Sequence, residues 1–340
     1  MAGDRILVTG SAGFIGSAFV RCLLNAEPET QVCSYDLLTY AGHEENLQDL
    51  PGADRHTFVK GDIADAEAVA QVIADFQPTA LVNIAAETHV DRSIVDPMPF
   101  AHTNVMGAQI LLSATREAGI RMLHVSTDEV YGSLEPPDAA TPEYPLRPSN
   151  PYAASKVSGD LLVQAAWRTH DQDVLITRCT NNYGPRQTPE KLIPVMLLRA
   201  QAGEPLPVYG DGAQIREWVH VDDHARGLLA TLRHGKTGGL YHFAGGTSLS
   251  NLEIVRRICD LVGASHDLIT HVEDRPGHDR RYALDDSATR EELGWAPETA
   301  FEDGLAATVA WYREHPAWCE AVAGEDLRAF LDTNYEGRTP

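Results

Sequence analysis

The run Gly10-Ser11-Ala12-Gly13-Phe14-Ile15-Gly16 follows the strand-like Arg5-Ile6-Leu7-Val8-Thr9 without a break and leads into the amphipathic stretch Ala18 to Leu24. No other segment narrows the fold as much. A strand that turns through glycines into a helix makes a tight bend, brings backbone N–H groups close to a phosphate at the positive end of the helix, and packs helix on strand. The spacing is G-x-x-G-x-x-G, with the middle glycine displaced by one from the commoner G-x-G-x-x-G. Asp36 closes the second apolar run 20 residues after Gly16 (36 − 16), where a carboxylate can accept both hydroxyls of a ribose and repels a 2′-phosphate. Together these residues point to NAD in preference to NADP.

The pattern that begins here continues. Short β-branched or apolar runs at Ile6–Val8, Val32–Tyr35, Ala80–Asn83, Met122–Ser126 and Val174–Arg178 alternate with helical stretches at Ala18–Leu24, Ala66–Phe76, Thr103–Ala118 and Tyr152–Thr169. Repeated βαβ units of this kind build an α/β fold, a Rossmann-type doubly wound parallel sheet. From about Asn182 the rhythm breaks, with Pro185, Pro189, Pro194, Pro205 and Pro207 separating shorter elements. We therefore expect an NAD-binding domain over residues 1–182 and a smaller α/β lobe over 183–340 for the rest of the ligand, with some segments interleaved. Asp62-Ile63 and Ala85-Ala86-Glu87, after the third and fourth strands, are placed to meet the adenine edge and the middle of the cofactor.

Composition excludes other classes. The 340 residues carry 27 basic and 49 acidic side chains, a net charge of −22, which disfavours nucleic acid and anionic membranes as partners. The five cysteines are scattered, with no C-x-x-C pair, so neither a disulfide framework nor a metal site is expected. A start that enters a strand directly, with no apolar run of membrane-spanning length, predicts a cytoplasmic protein. An anionic ligand must then be met by local positive charge, for which Arg275-Pro276-Gly277-His278-Asp279-Arg280-Arg281 is a candidate.

Two motifs carry chemistry. Tyr152-Ala153-Ala154-Ser155-Lys156 has Y-x-x-x-K spacing, which puts both side chains on one helix face. A lysine ammonium and a nearby nicotinamide charge favour the phenolate, so the tyrosine can act as a base below its usual value near 10. Val125-Ser126-Thr127-Asp128-Glu129-Val130-Tyr131-Gly132 adds something a simple alcohol oxidation does not need. Two adjacent carboxyl groups resist ionising together, so one tends to stay an acid while the other is a base. Elimination of water needs both.

Taken together these motifs resemble the dTDP-glucose 4,6-dehydratases of the extended short-chain dehydrogenase/reductase superfamily. The resemblance extends through Ala85–Ser93, Asn181–Pro185, Pro189–Pro194, Tyr209–Gly212 with Arg216-Glu217-Trp218, Asp274–Tyr282 and Asn334–Arg338. It implies that Tyr152 takes the proton from the sugar 4-hydroxyl, which Thr127 binds, while hydride leaves C4 for NAD. Glu129 then abstracts the C5 proton as Asp128 protonates the departing 6-hydroxyl, and hydride returns to C6. The implied product is dTDP-4-keto-6-deoxyglucose, a supply for deoxysugar biosynthesis. The implied cofactor contacts are Gly10, Gly13, Phe14, Ile15, Gly16, Asp36, Leu37, Thr39, Asp62, Ile63, Ala85, Ala86, Thr103, Ser126, Tyr152, Lys156 and Asn182. The implied substrate contacts are Thr88, Thr127, Asn181, Lys191, Leu192, Pro207, Tyr209, Arg216, Asn251, Arg275 and His278, and no metal is implied. The family pairs subunits through the helices Thr103–Ala118 and Tyr152–Thr169, so a homodimer is expected. This sequence departs from the family at Arg186 and Thr188, where aromatic residues are common, and at Tyr241–Gly246. Three other readings stay open: a dehydratase of another nucleotide sugar such as UDP-glucose, an NDP-hexose 4-epimerase or decarboxylase, which has no need of Asp128 with Glu129, and a non-catalytic NAD sensor.

Overall fold

The structure, a computed structural model, describes residues 3–324; the resemblance at Asn334–Arg338 lies outside the described residues. Seven strands form the main sheet: β1 (Arg5–Thr9), β2 (Gln31–Asp36), β3 (His56–Lys60), β4 (Ala80–Asn83), β5 (Arg121–Thr127), β6 (Val174–Cys179) and, after β7 (Asn181–Tyr183), β8 (Leu206–Tyr209) and β9 (Ile215–His220), the late strand β10 (Leu240–Phe243). Their spatial order is β10-β6-β5-β4-β1-β2-β3, all parallel. The order reverses between β1 and β4, and the crevice beyond the carboxyl ends of the strands at such a point is where a doubly wound sheet binds ligands.

Side-chain alternation explains why these strands are largely apolar. In β1, Ile6 and Val8 pack into one core with Phe19, Leu23, Val82 and Leu123, whereas Leu7 faces the other with Val69, Leu81, Leu111 and Val163. Both faces are covered by helices, so most positions on either side are apolar, and the polar exceptions His124 and Arg178 are buried with hydrogen-bond partners. A smaller unit joins β9 to β7 and to β11 (Thr247–Ser250), with a two-stranded piece of β8 and β12 (Ile269–Val272). Its core comes from helices Leu192–Ala202, Asn251–Val262, Phe301–Glu314 and Pro316–Val322, around Met196, Trp218, Ile254 and Leu305. Among the described residues no helix is long and apolar enough to cross a membrane.

The helix Pro151–His170 determines where the catalytic motif sits. Pro151 occupies its first turn, and the Asn150 side chain accepts a hydrogen bond from the Ala153 N–H at 2.9 Å, satisfying a donor that the helix itself cannot. Gly159 lets this helix approach the sheet, since a Cβ there would lie 2.9 Å from the Asn104 carbonyl and 3.2 Å from the His124 ring.

Candidate active site

The glycine turn is formed as its spacing predicts. Gly10 sits at φ +65°, and a Cβ on it would come within 2.4 Å of the Ala85 nitrogen; one on Gly16 would come within 2.0 Å of the Gly10 carbonyl. The helix Phe14–Ala26 starts after Gly13 with no side-chain cap and no acidic residue in its first turn. Uncapped N–H groups at a helix start suit an anion such as a pyrophosphate. Asp36 also organises this loop, because its carboxylate accepts from the Ala12 N–H at 2.9 Å and from the Leu38 N–H at 2.8 Å. Burial raises its pKa, opposed by those two hydrogen bonds. The cradle, the acid at its rim and the buried Ser126 hydroxyl, which has no hydrogen-bond partner among the described residues, all fit a dinucleotide.

One cleft runs from this loop to the end of β5. It is lined by every residue assigned to the cofactor except Lys156, that is Gly10, Gly13, Phe14, Ile15, Gly16, Asp36, Leu37, Thr39, Asp62, Ile63, Ala85, Ala86, Thr103, Ser126, Tyr152 and Asn182. Thr127, Asp128 and Glu129 line it too, as do Thr88, Asn181 and Lys191 from the substrate set. Lys191 reaches across, its ammonium donating to the Thr88 carbonyl at 3.2 Å and hydroxyl at 3.4 Å.

β5 ends in a 3₁₀ turn, Asp128–Tyr131, capped by the Thr127 hydroxyl, which accepts from the Glu129 N–H at 3.3 Å and donates to the Asp128 carboxyl at 3.2 Å. The carboxylates therefore do not serve as the cap. Asp128 is 3% exposed. Burial, then the Glu129 charge, push its pKa well above the carboxylate range against the pull of Arg216, so it is held as an acid. The Tyr152 phenol faces Thr127, and burial followed by the Glu129 charge push it well above its ordinary value. The sequence places Lys156 on the same helix face, but its ammonium donates to the Val125 carbonyl at 2.8 Å, and burial lowers its pKa. The chain alone does not favour a phenolate. Helical spacing fixes the face of a lysine, not where its long stem ends.

The remaining substrate residues lie beyond this cleft. Tyr209 donates to Asp91 at 3.3 Å, Arg275 sits 3.6 Å from the same carboxylate, and His278 stands edge-on to Tyr209 at 6.1 Å. Arg216 donates to the Asp279 carbonyl at 2.9 Å and stacks over Tyr282 at 4.3 Å. The Tyr282 hydroxyl donates to Asp279 at 2.8 Å and lies 3.4 Å from the Glu129 carboxylate, which ties this group to the catalytic turn. Leu192 and Asn251 open the helices Leu192–Ala202 and Asn251–Val262, and Pro207 pairs with Thr270 in the β8–β12 ladder; none of the three lines the cleft. The basic cluster divides. Arg275 is turned inward, whereas Arg280 pairs with Asp211 on the surface and Arg281 donates to the Asp138 carbonyl. Burial lowers the His278 pKa to about 4.

Several residues gained no role from the sequence. Cys179, Thr180 and Gln187 line the cleft, and so does Thr188, one of the two departures from the family pattern; the other, Arg186, has its guanidinium 5.2 Å from the centre of the Trp311 ring. Asn104 exchanges hydrogen bonds with the Glu87 backbone at 2.9 and 3.0 Å and donates to Ser155 at 2.8 Å.

The family model described as GDP-mannose 4,6 dehydratase matches residues 7–308. A dTDP-glucose 4,6-dehydratase of Streptomyces niveus is 50% identical over 327 residues, covering 95% of this chain and 96% of that protein. A solved dTDP-glucose 4,6-dehydratase from Streptomyces venezuelae, with NAD among its bound ligands, is 49% identical with a TM-score of 0.90, covering 94% of this chain and 99% of its own. A UDP-glucose 4-epimerase from Thermotoga maritima shares the fold at a TM-score of 0.85 but is 27% identical, covering 91% of this chain and 99% of its own.

Proposed function

The chain belongs to the dTDP-glucose 4,6-dehydratases, and on that premise we infer that it uses NAD to convert dTDP-glucose to dTDP-4-keto-6-deoxyglucose. The observation that carries this reading is the pair at the end of β5, Asp128 held protonated by burial beside Glu129 and both in the cleft with Tyr152. An epimerase needs a tyrosine and a cofactor but neither of these carboxyls.

NAD, which the glycine turn and Asp36 would hold, would supply a hydride acceptor for C4, a hydride donor for C6 and a positive charge within the site. Tyr152 accepts the proton of the 4-hydroxyl, which Thr127 holds by a hydrogen bond. The 4-ketone makes the C5 proton acidic, and Glu129 removes it. Asp128 gives its proton to the 6-hydroxyl, which leaves as water, so the C5–C6 double bond forms at the expense of one C–H and one C–O bond. Glu129 then returns a proton to C5 when C6 is reduced. Acid and base roles divided between two carboxyls follow from environments that push their proton affinities apart.

The same proposal assigns residues 1–182 to NAD and 183–340 to the sugar nucleotide, with some segments interleaved, a reading supported by β10 in the main sheet. Arg275 and Arg216 would meet the diphosphate, a role supported by their inward placement in an acidic protein. It also places the protein in the cytoplasm as a homodimer. Met106 (56% exposed) and Leu161 (50% exposed), on neighbouring helical segments, support an isologous interface there.

Purified protein incubated with dTDP-glucose, UDP-glucose and their N-acetyl analogues tests the function. Loss of one water from dTDP-glucose, seen by mass spectrometry, is expected; conversion to an isomer of unchanged mass would overturn it.

A further inference from the structure

Behind the cleft lies a chain of buried polar groups that the reaction as written does not use. Arg178, on β6, is 1% exposed. Its Nε donates to Asp160 at 2.9 Å, and Nη1 donates to the Tyr131 hydroxyl. The hydroxyl in turn lies 2.7 Å from Nε2 of His242, whose Nδ1 is 2.9 Å from the Asp285 carbonyl. The directions are mutually consistent. A carbonyl can only accept, so Nδ1 of His242 carries the proton, Nε2 accepts from the tyrosine, and the tyrosine oxygen accepts from the arginine. Burial keeps His242 neutral, lowering its pKa to about 4. Asp160, 0% exposed, also faces His124, 3.7 Å away; Nδ1 of His124 accepts from Asn83, which accepts from the Thr9 hydroxyl at 2.6 Å.

What the chain connects is informative. Asp160 stands one helical turn past Lys156 and two past Tyr152, on the same face of Pro151–His170. Tyr131 closes the 3₁₀ turn that begins with Asp128 and Glu129. One guanidinium therefore bridges the element that carries the oxidation residues and the element that carries the elimination residues. Its planar fork is what allows it to hold two partners at fixed angles.

We infer that Arg178, clamped between Asp160 and Tyr131, is a positioning residue that sets the Asp128–Glu129 pair against Tyr152 and Lys156. The inference rests on the roles proposed for those four residues. Burial of a charge so deep is costly unless every hydrogen bond is made, and a hydrophobic residue of similar size would fill the space. A misplacement of about 1 Å can cost on the order of 100-fold in rate, so a rigid link between the two catalytic elements has a direct kinetic use.

The test uses the holoenzyme with dTDP-glucose in stopped flow, following NADH absorbance and product together. Tyr131→Phe keeps the ring, which packs against Tyr144 and His242, and removes only the hydroxyl that joins turn to guanidinium. Arg178→Lys keeps the charge opposite Asp160 but not the fork. Both variants are expected to retain NAD and to oxidise C4 within about threefold of the parent, while elimination slows by about tenfold or more, so that NADH accumulates transiently. A residue that only stabilises the fold would lower the melting temperature and slow both steps alike. Equal slowing of the two steps in Tyr131→Phe, or parent-like elimination in both variants, overturns the inference. Glu129→Gln serves as the control that separates the two levels. If it accumulates NADH and Tyr131→Phe does not, only the positioning role fails; if it does not, the assignment of the base fails and the inference loses its premise.

Discussion

Replacing Glu129 by Gln isolates the chemistry most specific to this site. The amide keeps the length and shape of the side chain beside the Tyr282 hydroxyl, 3.4 Å away, but it cannot take a proton from C5. Loss of a positioned general base costs about 10² to 10⁴ in rate, which at 1.36 kcal/mol per factor of ten is about 2.7 to 5.4 kcal/mol of barrier. The charge has a second effect that can be read from the neighbours. Glu129 is the second cause, after burial, of the upward shifts of both Asp128 and Tyr152. Without it both groups ionise more readily. More of Tyr152 is then present as phenolate for the first step, and oxidation at C4 should be as fast as in the parent or faster, with its pH dependence moved to lower pH. Less of Asp128 then carries the proton it must give, which adds to the loss in elimination. The assay is a single turnover with dTDP-glucose, recording NADH absorbance and quenched product. NADH should rise and persist while 4-keto-6-deoxy product appears 10² to 10⁴ times more slowly. Product at the parent rate, or NADH formation slowed in step with product, would refute the argument.

Three further outcomes follow from the geometry. Gly10→Ala forces a side chain into a left-handed backbone and to within 2.4 Å of the Ala85 nitrogen, a strain of about 1–3 kcal/mol; the variant should purify with less NAD and melt at a lower temperature, and parent-like NAD content would remove the turn from the site. Arg275→Ala removes a charge-assisted contact worth about 1.5–3 kcal/mol and leaves Asp91 in place, so calorimetry should show dTDP binding weakened by at least tenfold with NAD affinity preserved; unchanged dTDP affinity would exclude it. The buried, neutral His224 has a pKa lowered from 6.5 to about 3 by burial, so the unfolded chain binds the extra proton and stability falls as pH drops from 6.5 towards 3, by about 1.4 kcal/mol per pH unit. Urea unfolding at pH 7, 6 and 5 should show this slope in the parent and lose that share of it in His224→Gln; parallel curves would mean the histidine is not held neutral.

The sequence was most legible where a feature is local. The helix Ala66–Phe76 and the strand Ala80–Asn83 have the bounds that periodicity predicts; for the helix, Asp65 supplies the N-cap by accepting from the Glu67 and Ala68 N–H groups. The glycine turn and Asp36 are where their spacing puts them, because both belong to one βαβ unit. The expected helix Thr103–Ala118 begins instead with a wider π-type turn, His102–Gly107, in which the Asn104 side chain is committed to Glu87 and Ser155. Such partners lie elsewhere in the chain and leave no trace in a local period. Arg275 and Asp91 meet only after both lobes have folded, and the inward turn of Arg275 against the outward turn of Arg280 depends on that meeting. The direction of Lys156 is of the same kind, decided by a carbonyl on a neighbouring strand.

The late arrival of β10 has a consequence for synthesis on the ribosome. Residues 174–179, which form β6, are synthesised before Leu240–Phe243 exists to pair with them, so a sheet formed in that interval has β6 at its edge, and open edges are templates for pairing with other chains. The same delay leaves Tyr131 without His242. A growing chain that has already completed its dinucleotide loop and all of its proposed catalytic side chains still lacks the outermost strand of the sheet beside them. The interval between β6 and β10 is therefore where a chaperone that shields strand edges has most to protect.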